Sequence, residues 1–197
     1  MLPTRPVRAA LLALAVFGVA CRDPTLAKAT YASGLTTATI FPLTGASATV
    51  PTALSFLAGP SHATATFAFD VAFDLDAANH VVVMPVRLLA GDLAGPLKRV
   101  GLQPVSGAFA SITEVPATGY DTVSARTVLP GAVLAVELQD LTACYSSYNF
   151  NVVTSQLLYA KLVVDSVDAT ARRIYVRTVV DPNCGYRGVV PDSVPKR

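Results

Sequence analysis

From Ala63 to Asp76 apolar and polar side chains alternate. Odd positions read Ala63, Ala65, Phe67, Phe69, Val71, Phe73 and Leu75; even positions read Thr64, Thr66, Ala68, Asp70, Ala72, Asp74 and Asp76. Alternation with period two puts one set on each face of a strand, so this stretch predicts one long strand with a buried face and a wet face. Ala77 to His80 reads as a turn, and Val81 to Ala90 as the returning strand. Closing the hairpin with Asp76 opposite Val81 sets Phe73 against Met84, Val71 against Val86 and Phe69 against Leu88. The same register places Asp70 opposite Arg87 on the wet face, an opposite-charge cross-strand pair. Pro85 cannot donate to a ladder, which predicts an edge or a bulge there.

A second hairpin is written in Leu158, Ala160, Leu162 and Val164, alternating with Tyr159, Lys161, Val163 and Asp165. It returns, after a polar turn at 168–172, through Ile174, Val176, Thr178 and Val180. Weaker strands are expected at Thr36–Leu43, Lys98–Val105, Phe109–Val115 and Val133–Leu138, with Gly/Pro punctuation at 91–96, 116–119 and 130–131. Short strands with frequent turn signals and no amphipathic helix predict an all-β fold, an antiparallel β-sandwich forming a single domain. A transmembrane β-barrel is the competing architecture, since it too is built from alternating strands.

The first residues follow another pattern. Arg5 and Arg8 precede an unbroken apolar or small run from Ala9 to Ala20. A bilayer-spanning helix needs about 20 residues, whereas this run has the length of a signal-peptide core. Gly18-Val19-Ala20-Cys21 resembles the lipobox of bacterial lipoproteins. The resemblance implies diacylglycerol on Cys21, and Arg22 in the next position, in place of Asp, implies sorting to the outer membrane. Two or three acyl chains anchor stably where one is marginal. The expected organisation is a signal peptide at 1–20, a tether at 21–29, a sandwich domain at 30–188 and a C-terminal tail at 189–197. The Pro- and Val-rich stretch Val189–Pro195 reads as a frayed end or a partner contact.

This placement changes the reading of composition. The 197-residue chain carries a formal net charge of +2. Without Arg5 and Arg8, basic and acidic side chains number thirteen each. A nucleic-acid binder needs a basic surplus, so nucleic acid is not an expected partner; a membrane, through Cys21, and a protein of the envelope are. Three cysteines leave Cys144 and Cys184 as a pair once Cys21 carries lipid, and outside the cytoplasm a disulfide between them is expected.

Groups for chemistry are sparse. His62 and His80 are the only histidines, and no Gly-x-Ser-x-Gly elbow or phosphate-cradling glycine loop occurs. Glu114 and Glu137 are the only glutamates, so a carboxylate-based hydrolase ranks last. Asp74, Asp76 and Asn79 offer oxygen ligands of the kind calcium takes, yet lack the glycine and terminal glutamate of an EF-hand. A solvated strand face is the plainer reading. No residue is assigned a catalytic role and no metal site is assigned.

Phe69-Asp70-Val71-Ala72-Phe73, Pro116-Ala117-Thr118-Gly119-Tyr120-Asp121 and Tyr159-Ala160-Lys161-Leu162 before a final hairpin together resemble the layout of HmuY-type envelope lipoproteins. That family is all-β, lipid-anchored and captures haem through two histidines, so the resemblance implies a sandwich, an anchor and haem as a candidate ligand. His62, His80 and Met84 are the candidate ligand-binding residues. A straight strand between the two histidines, at about 3.3 Å per residue, would separate them by more than about 40 Å. Only a sharp bend, or help from a tyrosine or Met84, would let them share one iron. The leading expectation is therefore a non-catalytic binding or interaction module at the cell envelope, with capture of haem or a small ligand as the alternative.

Overall fold

The computed structural model describes residues 28–91, 98–140, 144 and 155–196. The signal segment 1–20 and Cys21 lie outside them. Among the described residues ten strands form: β1 (Gly34–Ile40), β2 (Ala53–Ser55), β3 (Gly59–Ser61), β4 (Val71–Leu75), β5 (Val81–Pro85), β6 (Lys98–Val105), β7 (Arg126–Val128), β8 (Val133–Asp140), β9 (Leu157–Asp168) and β10 (Arg173–Asp181). One short helix, α1 (Val86–Ala90), follows β5. The strands make two five-stranded sheets, ordered β1-β10-β9-β8-β6 (sheet I) and β3-β2-β4-β5-β7 (sheet II). Every ladder is antiparallel. The expected all-β sandwich is the fold, and neither sheet closes on itself into a barrel. No helix among the described residues is long and apolar enough to cross a membrane.

The main core lies between the sheets. Ile40, Phe69, Phe73, Leu102, Leu134, Leu158, Leu162 and Ile174 are fully buried in it, as is Cys144. The second hairpin forms as read, with Ile174 opposite Val167 and Thr178 opposite Leu162 around a bulge at Tyr175/Val176. β6 takes the bounds the alternation predicts, and β1 and β8 differ from theirs by a few residues.

The first hairpin departs from its reading. Only Val71–Leu75 is strand, and its register is Val71 to Pro85, Ala72 to Met84, Phe73 to Val83 and Leu75 to Val81. The turn decides this. The Asp76 N–H donates to the His80 carbonyl at 3.0 Å, so Asp76 faces His80 and not Val81, and Asn79 supplies the positive φ of 62° that closes the loop. A one-residue offset follows, and Phe73 meets Val83 in place of Met84.

Residues 63–70 are loop, entered through a turn in which the Phe67 N–H donates to the Thr64 carbonyl and Phe67 takes φ 50°. The Phe67 and Phe69 rings pack 6.3 Å apart over the core. Their alternation comes from an inward-folded loop and not from a pleated strand. Asp70 accordingly does not oppose Arg87. It is buried, accepts the Phe56 N–H at 2.7 Å and pairs with the Lys98 ammonium at 3.0 Å. Pro85 ends β5 and serves as the N-cap of α1, where its missing N–H costs nothing. Val86 to Ala90 therefore coil where the returning strand was expected, until Gly91 at φ 54° stops the helix.

Two further segments differ. Phe109–Val115 is a loop with a single bridge, Glu114 to Gly188, and not a strand. The stretch from Val189 is no frayed tail: Val189 is fully buried and its N–H donates to the Thr113 carbonyl.

Cys144 and Cys184 form the expected disulfide, with Cα atoms 5.9 Å apart across 40 residues of sequence. Closing a loop of that length removes denatured-state entropy worth on the order of 4 kcal/mol, before native strain is subtracted. Replacing both cysteines with alanine is expected to lower the unfolding free energy by about 2–4 kcal/mol in urea titrations. A loss below about 1 kcal/mol would show that the bridge constrains little of the unfolded chain.

Candidate functional site

The distinctive feature of the molecule is the outer face of sheet I. An antiparallel sheet commonly turns one face to solvent, yet in β9 every residue from Leu158 to Val164 is buried. Leu158, Ala160, Leu162 and Val164 face the main core. Tyr159 and Val163 face a second one, completed by Val133, Ala135, Val179, Phe109, Val115 and Val189. Lys161 lies between them in sequence, on the same face, and only 1% of it is exposed.

The loop 106–116 makes this burial tolerable. The Lys161 ammonium donates to the carbonyls of Phe109 and Ile112, both at 2.7 Å, and lies 4.5 Å from the centre of the Phe109 ring. The Arg177 guanidinium lies 5.1 Å from the same ring, and a bidentate pair with Asp165, at 2.7 Å for each contact, holds it there. Burial lowers the pKa of Lys161. Sheet I thus grips the loop through one buried cation, and the loop roofs the sheet.

Next to this staple, one row of the sheet runs Gly101, Glu137, Tyr159 and Asp181 across β6, β8, β9 and β10. Tyr120 lies over the row, its ring 6.2 Å from that of Tyr159 and its hydroxyl donating to the Pro116 carbonyl at 2.7 Å. Glycine is required at 101, because a Cβ there would meet the Cβ of Tyr120 at 2.6 Å. Burial raises the Glu137 carboxyl, while the nearby Arg99 and a hydrogen bond from Tyr159 pull it back. Burial also raises both phenols, and the Glu137 charge adds to the shift.

At the rim Arg187 pairs with Glu114 and donates to the Val115 carbonyl at 3.1 Å. Beside it an open groove of about 760 Å³ is lined by Pro104, Val105, Ile112, Thr113, Val115 and Pro116, among others. The lining mixes apolar side chains with the hydroxyls of Ser106, Ser111 and Thr113 and the Glu114–Arg187 pair, which suits contact with a partly apolar ligand or an extended segment.

A polar clamp lies where β10 ends, at the Asp181 end of the Gly101–Asp181 row. Asn183 accepts the N–H groups of Thr30 and Tyr31 and donates to the Tyr31 carbonyl and to Asp181 Oδ1. Asp181 is fully buried, and its Oδ2 has no hydrogen-bond partner among the described residues. Burial pushes its carboxyl up to about 6, against the opposing pull of the Asn183 hydrogen bonds.

The residues singled out from the sequence do not gather. His62 is exposed just after β3, and His80 directly precedes β5. Those strands stand three positions apart in sheet II, which at about 4.8 Å per strand puts the two histidines on the order of 15 Å apart. The bend at 63–70 removes the expected separation of more than 40 Å without making a clamp. His80 Nδ1 is engaged by Asp76 Oδ2 at 3.1 Å, and Met84 packs against the main core four residues further along. Asp74 accepts the N–H and hydroxyl of Thr44, and Asp76 accepts the N–H groups of Ala78 and His80. These bonds to His80 and Ala78 hold the Asp76 carboxyl below the usual range. The oxygens read as calcium ligands thus serve a tie to Thr44 and the 76–80 turn, and no group of three or more His, Cys, Asp or Glu fit to hold a metal occurs among the described residues. Glu114 and Glu137 have separate partners, Arg187 and Tyr159.

Replacing Lys161 with methionine leaves the Phe109 and Ile112 carbonyls without their donor. The expected cost is about 2–3 kcal/mol, with amide exchange in 109–116 accelerating more than in β8 or β10. Uniform acceleration would place the staple's effect elsewhere. For Asp181 the folded value of about 6 lies above the ordinary 3.8, so the folded state binds the proton more tightly. The stability this group contributes is complete below about pH 4 and is lost as pH rises through about 6. Calorimetry from pH 4 to 7 should therefore show Asp181→Asn gaining on the parent protein as pH rises; a constant difference in Tm would contradict the assignment.

No family model, no curated protein and no solved structure matches this chain, so its own residues carry the functional reading.

Proposed function

We propose that this protein is a non-catalytic binding module of the bacterial cell envelope, acylated at Cys21, which holds its partner against the roofed outer face of sheet I. The observation that carries the reading is the stapled roof itself. A buried lysine in a strand is costly unless its donors are satisfied, and here its bonds keep one loop in place beside an open groove. Such a loop presents a pre-ordered surface, which lowers the entropic cost of binding. The disulfide supports an oxidising compartment, and the Gly18-Val19-Ala20-Cys21 segment supplies the address. Resemblance to HmuY-type lipoproteins supports the fold and the anchor. Haem capture is not part of the proposal, because His62, His80 and Met84 do not converge.

Cells grown on labelled palmitate should incorporate label into the parent chain and none into Cys21→Ser. With crosslinking in intact envelopes, Ile112→Arg, which crowds the groove, should reduce the captured adduct at least five-fold. An unlabelled parent chain would sink the anchor, and undiminished crosslinking in the Ile112 variant would sink the groove.

A further inference from the structure

Large apolar side chains exposed on the described surface include Tyr31 (53% exposed), Leu35 (47%), Val190 (39%) and Val194 (42%). These four lie on two segments that run side by side. Ser33 bridges Pro191 in parallel, the Ser33 N–H donates to the Ser193 carbonyl, the Asp192 N–H donates to the Ser33 carbonyl, and the Ser33 hydroxyl donates to the Gly188 carbonyl. Gly188 is itself pressed close to Pro195. The Asn183 clamp fixes Thr30 and Tyr31 on the same edge. The apolar surface is therefore held rigidly, and it is not a floppy terminus. Lys28 and Lys196, both exposed, flank the two segments in sequence, and Asp192, also exposed, lies within the second.

Length decides what this edge faces. Seven residues lead from Cys21 to Lys28. At no more than about 3.6 Å per residue they reach about 25 Å at full extension. The twelve residues of β9 run away from this end for about 40 Å. An acylated Cys21 therefore keeps the 28–35 edge within about 25 Å of the bilayer, a limit that does not hold for the β9–β10 turn about 40 Å further along. Tyrosine, aliphatic side chains and lysines are the residue types that settle in the headgroup layer, where rings and methyls meet acyl chains and ammonium groups meet phosphates.

We propose that Tyr31, Leu35, Val190 and Val194 form a membrane-contact edge, with Lys28 and Lys196 at the level of lipid phosphates, so that the sandwich stands on the bilayer in one orientation. The proposal rests on acylation of Cys21. It leaves the groove at Ile112–Pro116 for a partner and assigns this edge to lipid.

The chain contains no tryptophan, so a single introduced one reports alone. Full-length Tyr31→Trp and Val190→Trp proteins would be reconstituted into vesicles of phosphatidylcholine and phosphatidylglycerol, with and without brominated acyl chains. Ala171→Trp, in the exposed β9–β10 turn at the far end of the sheet, is the control. The expected result is a blue shift and about two-fold quenching by bromolipid at positions 31 and 190, with none at 171. Absence of quenching at 31 and 190 in palmitate-labelled protein overturns the membrane edge and leaves the anchor standing. Equal quenching at all three positions overturns the single orientation. A blue shift at 31 that depends on protein concentration and not on lipid assigns the edge to a second copy of the chain, and also overturns the proposal. Quenching at 31 in protein that carries no palmitate supports lipid contact by this edge while removing the anchor.

Discussion

One buried ammonium organises the outer half of this molecule. Lys161 sits in a strand whose neighbours on both faces are apolar, where an unpaired charge would be untenable. It persists because two carbonyls of a single loop converge on it and an aromatic ring lies within 4.5 Å. The contact works in both directions. The loop satisfies the cation, and the cation satisfies carbonyls that the loop, lacking a ladder, offers to no strand. Sheet I thereby acquires a second core on the face that an antiparallel sheet would otherwise leave wet.

Other features of that face follow from the same roof. Once the loop 106–116 is held, the segment from Gly185 to Val189 can close beside it, with Val115 and Val189 bonded across the seam to Arg187 and Thr113. Tyr120 lies over the row of Gly101, Glu137 and Tyr159, its ring tilted 50° from that of Tyr159, and the burial of each phenol beside a carboxylate raises both. The disulfide, the Asp181–Asn183 clamp and the Ser33–Pro191 bridge gather at the end of sheet I where β10 stops and β1 starts. A stapled groove and a braced apolar edge are thus two products of covering one sheet face with irregular chain.

Residues show where the sequence could be read and where it could not. The Leu158–Val164 alternation identified β9, because β-branched and aliphatic residues with period two have few other uses. It did not show that Lys161 was buried. The signal was present in Tyr159 and Val163, which share its face and are too apolar for a wet one. Phe67 and Phe69 misled in the opposite sense: two rings separated by one residue bury together in a folded loop as readily as on a strand. The hairpin register failed by one residue at Asn79, whose tolerance of positive φ set the turn. Tyr120, Arg187 and Asn183 offered no local pattern, since each acts on chain far away in sequence.

By itself the amino-acid order determined the sandwich class and the second hairpin, because period-two burial is local, and it pointed to the pairing of Cys144 with Cys184 because the chain holds three cysteines and Cys21 was read as the lipidated one. Tertiary structure decided which faces were dry, where His62, His80 and Met84 ended up, and that the stretch from Val189 docks. Those outcomes depend on which irregular segments cover a sheet. Irregular segments carry no periodicity, and their positions are set by contacts such as the bonds from Lys161 to Phe109 and Ile112, across some fifty residues of intervening chain.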